Sequence, residues 1–266
     1  MGKQKSIVKI QGSIDDMTFY QMNGISYVRK KTAGPSKEKI KTDPRFKRTR
    51  ENNQEFAGAV AGATALRQGL VEVTKMLDNS FRNRAMIICR QMIASASGTR
   101  GQRPFKPQDN KGMFQELVLQ KSTSFQRICN VPYVASVAVG NYSATLAIPD
   151  FNTGSLINPP PNATHFKMFL HISVLSEFDY DIVTNKYQPV NPELNTLHAM
   201  SSTDYLPLGG MVGAATLLQT ILGDVEELPP TAVLVVCMGI EFYQSVTGGG
   251  YYSFASNDAM KIVLVK

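Results

Sequence analysis

The chain has 266 residues, 43% hydrophobic and 18% charged, with a formal net charge of +7. That composition suits one large core or two modest ones and excludes a disordered chain. Three distant cysteines in apolar surroundings, Cys89, Cys129 and Cys237, exclude a disulfide framework and a zinc-ligand spacing and point to a reducing compartment.

Residues 1–31 read as an N-terminal β-hairpin arm. Strand patterns cover 6–12 and 17–22, and Asn23-Gly24 is a strong hairpin signal, because a type I′ turn needs positive φ at both central residues. A two-residue turn there sets Met22 opposite Ile25, Tyr20 opposite Tyr27 and Phe19 opposite Val28. Strand alternation then places Met22, Tyr20, Ile25 and Tyr27 on one face and Met17, Phe19 and Val28 on the other. Both faces are largely apolar, and an isolated hairpin is marginal in water, so the arm needs cover from its own body or from a neighbour. Phe19, Tyr20, Tyr27 and Val28 are the candidate interface residues of the arm.

The stretch 29–50 carries nearly all the net charge. Its ten basic residues are Arg29, Lys30, Lys31, Lys37, Lys39, Lys41, Arg45, Lys47, Arg48 and Arg50, against Glu38 and Asp43. The segment is therefore +8, and the rest of the chain sums to −1. The lysines flank Gly34-Pro35 and are expected on a loop, whereas Asp43-Pro44 reads as the cap and first position of a helix. Cations at a helix start oppose its dipole, which makes sense if an anionic partner sits there. An acidic protein surface and the phosphates of nucleic acid both qualify. With only Phe46 and Tyr27 at hand for base stacking, a single-strand channel is disfavoured.

Residues 32–98 combine this basic connector with a helical hairpin. Phe56, Ala59, Ala63, Leu66, Leu70, Val73 and Leu77 recur at alternating spacings of three and four, a heptad seam. Beside it runs a line of small residues, Gly58, Gly62, Ala65 and Gly69, whose helix cost implies close backbone approach. That approach serves either an intramolecular helix pair or a contact between subunits, and it makes Gly58, Gly62 and Gly69 candidate interface residues. Asp78-Asn79-Ser80 reads as a turn and cap, followed by a helix with Phe81, Ala85, Ile88 and Met92 on one face.

Residues 113–266 read as a β-sandwich domain. Expected strands are 114–119, 133–139, 143–149, 165–175, 216–221, 232–246, 251–255 and 260–265, punctuated by Gly/Pro turns. Many strands without alternating helices argue for antiparallel sheets. The fold class is therefore mainly β with a helical insertion: an antiparallel β-sandwich, an N-terminal β-hairpin and an antiparallel helical pair.

Chemistry-bearing constellations are sparse. His165, His171 and His198 lack metal-ligand spacing, the first two lying about 20 Å apart along one strand face. Glu177, Asp179 and Asp181 alternate along a strand, and a solvated edge explains them better than Ca²⁺, since no loop glycine wraps the ion. The Leu208-Gly209-Gly210 run reads as a turn. No nucleophile-elbow, zincin, Cys-x-x-Cys or Walker pattern occurs. No catalytic residue, metal, cofactor or small-molecule substrate is expected, and no apolar run is long enough for a membrane span.

Four segments, GSIDDMTFYQMNGISYVRKK, TDPRFKRTRENNQEFAGA, NPPPNATHFK and GIEFYQSVTGGGYYSF, carry a resemblance spanning most of the chain. They resemble a family of Bacteroidota proteins with no assigned activity. The resemblance implies a bacterial, non-secreted chain with a hairpin, a basic helix start and a β-rich remainder. The expected function is structural: a cytoplasmic, self-associating protein forming a homo-oligomer, filament or phage-derived particle. The arm and basic connector would form its interface. The alternative is a non-specific nucleic-acid-binding protein using 29–50.

Overall fold

A computed structural model describes every residue except Met1, Ser6, Thr32, Ala33, Ser122 and 255–257. The chain divides into two units, Met1–Arg50 and Glu51–Lys266.

The first unit is a small antiparallel sheet followed by a helix. Its strands are β1 (Gly2–Lys3), β2 (Gly12–Ile14), β3 (Met17–Met22) and β4 (Ile25–Lys30), in the spatial order β1-β4-β3-β2. The expected β3–β4 register holds, with Met22 opposite Ile25, Tyr20 opposite Tyr27 and Phe19 opposite Val28. Asn23 and Gly24 have φ of 51° and 76°, as the type I′ turn requires. A second two-residue turn, Asp15-Asp16, joins β2 to β3, with Ile14 opposite Met17. Helix α1 (Lys37–Thr42) follows, capped by the Ser36 side chain, which accepts from the Lys39 N–H.

Helix α2 (Lys47–Gly69) opens the second unit's core. A 3-10 segment, Val71–Met76, leads to α3 (Phe81–Ser95), then to short helices α4 (Lys111–Gln115) and α5 (Phe125–Ile128). Strands β5 (Val134–Val137) and β6 (Ser143–Ile148) precede a single helical turn, α6 (Thr153–Leu156). The long strand β7 (His165–Ser176) runs into the hairpin of β8 (Phe178–Asp181) and β9 (Lys186–Pro189). Strands β10 (His198–Ser202), β11 (Leu206–Pro207) and β12 (Thr216–Ile221) come next. The chain then forms β13 (Ala232–Val246), β14 (Gly250–Ser253) and β15 (Ala259–Val265).

The main sheet has the order β10-β7-β13-β14, with β11 also on β7 and β15 also on β13. A second sheet has the order β12-β6-β5, and all these pairings are antiparallel. Period-2 alternation sends the two faces of β7 and β13 into different cores. Phe166, Met168, Leu170, Ile172 and Val174, with Leu234, Val236, Met238 and Ile240, join Leu146, Ile148 and Leu218 of the smaller sheet. Phe169 and Leu175, with Val233, Val235 and Cys237, join Leu66, Leu70, Ala85 and Met92 of the helices. A sheet covered on both faces needs an unbroken apolar run, which explains AVLVVCMGI in β13. The unit is thus layered, helices on sheet on sheet. The chain is mainly β with a helical insertion, as its sequence indicates.

Gly239 shows how tightly the central pair is built. It lies opposite Phe169, whose ring occupies the place of the missing side chain: a Cβ on Gly239 would sit 2.0 Å from the Phe169 Cζ.

Several sequence expectations give way. Of the described residues of 6–12, only Gly12 enters a strand; Gln4 instead folds the segment back, its amide bonding both the N–H and the carbonyl of Ile10. Segment 114–119 is not a strand: Phe114 lies in the short helix α4, and Leu117 and Leu119 drop into the helix-side core from irregular backbone. The lysine-rich connector is helical over Lys37–Thr42 where a loop was expected, because Ser36 supplies a cap. Ser6 and Ala255, at the ends of two expected strands, lie outside the described residues. The strand expected to carry Glu177, Asp179 and Asp181 is β8, whereas β9 to β11 have no counterpart among the expected strands.

Candidate assembly interface

Burial separates the two units sharply. Among the described residues of Met1–Arg50, no apolar side chain is buried; Ser26 is the only residue that is. Ile14, Met17, Met22 and Ile25 are exposed, at 42–54% of their full surface. The expected interface residues Phe19, Tyr20, Tyr27 and Val28 are half-buried. Tyr20 and Tyr27 stack across the β3–β4 pair with centroids 5.7 Å apart, and the Arg29 guanidinium lies 5.6 Å from the Tyr20 ring. These contacts add roughly 0.5–1.5 kcal/mol each, far below the cost of ordering such a sheet.

The basic residues divide by role. Asp43 caps the next turn by accepting from the Arg45 N–H, and its carboxylate grips the Arg45 guanidinium at 2.7 Å. Arg45 holds that carboxyl below the usual range, so an anion faces the helix start as the dipole prefers. Arg50 turns back to donate to the carbonyls of Ile40 and Asp43 and fastens the end of α1. Lys30 pairs at 3.5 Å with exposed Asp16. Lys31, Lys37, Lys39, Lys41 and Lys47 make no ion pair among the described residues, and Lys37, Lys39 and Lys41 ride the exposed α1. Arg45 and Arg50 are therefore structural ties, and α1 with its neighbours carries the outward charge.

The helix glycines leave the interface set. A Cβ on Gly58 would meet the Tyr187 ring at 2.8 Å, on Gly62 the Phe105 ring at 3.1 Å and the Cys89 sulfur at 3.3 Å, and on Gly69 Ser173 at 3.0 Å. All three glycines are buried against their own chain. The heptad seam is likewise internal, except that Phe56 is 45% exposed. Close approach was legible in the sequence; its target was not.

The expected acidic edge also dissolves. Glu177 is buried, and burial raises its pKa. Asp181 closes the β8–β9 turn, accepting from the Val183 N–H and the Thr184 hydroxyl. The two strand histidines acquire partners that local sequence could not reveal. His165 packs edge-on to Tyr251 of β14, and His171 stacks on His198 of β10 at 6.0 Å. His171 is fully buried with Glu72 3.6 Å away, and burial pushes its pKa down to about 4. Among the described residues no three His, Cys, Asp or Glu side chains group as metal ligands. No described helix is long and apolar enough to cross a membrane.

No family model matches the chain, and no curated protein sequence is similar to it.

Proposed function

We propose that this is a structural, self-associating protein whose N-terminal sheet docks on a neighbouring copy. One observation carries the reading: a four-stranded sheet with no buried apolar side chain exposes Ile14, Met17, Met22 and Ile25. Sheets of this size need a covered apolar face to be stable. A second copy supplies that cover on every molecule of an oligomer, filament or particle. The lysines of α1 then orient the docking through charge, while the aromatic and aliphatic residues of β3 and β4 supply most of the affinity. The non-secreted bacterial setting suggested by the sequence resemblance fits an assembly formed in the cytoplasm.

Light scattering of the full chain against a chain lacking residues 1–31 tests the reading. The full chain is expected to form a defined assembly at micromolar concentration and the truncated chain to be monomeric. Two monomers would overturn it.

Non-specific nucleic-acid binding is the second reading, favoured by the unpaired cations Lys37, Lys39 and Lys41 on one exposed helix. Salt separates the two: phosphate binding falls steeply as salt rises, whereas apolar docking persists.

A further inference from the structure

The segments 115–121 and 123–126 line a cleft beside β15. Phe114, Leu117 and Leu119 anchor one end in the helix-side core, while Phe125 and Ile128 anchor the other in the core between the sheets. The chain therefore passes from one face of the main sheet to the other around the β15 edge. A cleft of about 460 Å³ remains, its walls including Leu117, Phe125, Tyr133, Met260 and Ile262. That volume falls within the range of small-molecule sites.

The wall is held in place before any ligand arrives. Asp78 accepts from the Lys121 N–H at 2.9 Å and pairs with Arg84 at 3.0 Å. Arg84 in turn donates to the carbonyls of Val118 and Leu119. These bonds fasten the stretch to the turn before α3, and they hold the Asp78 carboxyl well below the usual range.

Two polar groups of the cleft lack partners. The Lys261 ammonium lies 4.8 Å from the Phe125 ring centre and 4.5 Å from that of Tyr133, with no carboxylate in ion-pair range among the described residues. Ring faces orient and partly desolvate a cation yet accept none of its N–H groups as an oxygen would. Gln120, which also lines the cleft, has a buried Oε1 with no hydrogen-bond donor. A buried acceptor left open is unfavourable, and a turn of the Gln120 amide toward the cleft would let a ligand donor satisfy it.

We propose that this cleft binds a small organic acid with an apolar body and a hydroxyl or amine donor. Lys261 takes the carboxylate, Gln120 Oε1 accepts from the donor, and Phe125, Tyr133, Met260 and Ile262 cover the carbon skeleton. The proposal is independent of the assembly reading, because the cleft lies wholly within Glu51–Lys266.

Calorimetric titration of the full chain with hexanoate, its ω-hydroxylated form, methyl hexanoate and inorganic phosphate tests it. Both carboxylates should bind saturably, the hydroxylated one more tightly, with at least about tenfold preference over the ester. Lys261→Met, which keeps the apolar stem, should cost at least about tenfold in carboxylate affinity. Gln120→Ala should abolish only the preference for the hydroxylated acid, and it serves as the test should Lys261→Met fail to fold. Absence of carboxylate binding up to about 10 mM would overturn the site. So would equal binding of the ester, unchanged affinity in Lys261→Met, an unchanged hydroxyl preference in Gln120→Ala, or phosphate binding as well as the acids.

Discussion

The two units use the same local β chemistry and reach opposite outcomes. In Met1–Arg50, two short turns set β2, β3 and β4 in register and β1 adds to β4, yet no apolar side chain among the described residues is buried. In Glu51–Lys266, β7 and β13 pair over twelve residues, and their two faces enter separate cores. Turn residues and alternation suffice to choose a register, because they act through neighbours in sequence. Independence needs something further: enough apolar surface removed from water to offset the entropy of ordering the chain. The larger unit has it, and the smaller one presents the same kind of residues to solvent.

The contrast can be broken first at Gly239. Gly239→Ala would drive a Cβ into the buried Phe169 ring, and a loss of about 3 kcal/mol is expected from overpacking in denaturant unfolding. A loss under about 0.5 kcal/mol would mean that the core yields more readily than its packing implies.

The next test uses two of the buried ionisable groups, His171 and Asp258. His171, with a folded pKa of about 4 against 6.5, is protonated sooner in the unfolded chain; its contribution is therefore lost as pH falls from about 6.5 to 4. Asp258 behaves oppositely. Burial raises its pKa from 3.8 to about 6, although Lys75 lies 3.9 Å away, so the folded chain holds a proton that the unfolded chain releases. Its contribution is therefore lost as pH rises from about 4 to 6. Each slope amounts to something on the order of 3 kcal/mol, and in the parent chain they oppose one another. His171→Leu should leave stability falling with rising pH across that window, and Asp258→Asn should leave it rising. Unfolding curves of both variants that parallel the parent at every pH would refute the pairing.

Two smaller effects sharpen the comparison from the other unit. Asp43→Ala removes the cap of the turn leading into α2 and is expected to lower helicity slightly, read by circular dichroism. Tyr20→Ala should change global unfolding by less than about 0.5 kcal/mol while weakening self-association, read by light scattering across a dilution series. A large unfolding effect with unchanged association would mean that Tyr20 serves the fold and not a neighbour.

How much was legible depended on the range of the interaction responsible. Strands β12 and β13 and the Asn23-Gly24 hairpin were read correctly, because periodicity and turn type are written locally. Segment 114–119 was misread as a strand. Its apolar residues do alternate in part, but irregular backbone delivers Phe114, Leu117 and Leu119 to one core. That misreading hid the cleft, whose wall is this segment and whose cation, Lys261, is some 140 residues away in sequence. The basic stretch was visible as charge, but not its division into ties at Arg45 and Arg50 and outward lysines on α1.

Composition, alternation and turn residues alone determined a mainly β chain, a helical insertion, the register of the first hairpin and a glycine line demanding close approach. These follow from steric rules acting over a few residues. Tertiary structure alone decided that the glycines meet Tyr187, Phe105 and Ser173 of their own chain, that His171 finds His198, and that Lys261 rests over two rings. It also decided that the described residues among the first fifty bury no apolar side chain. Each of those outcomes depends on which strands pair and which faces meet, and such pairings bring together residues that no local pattern connects.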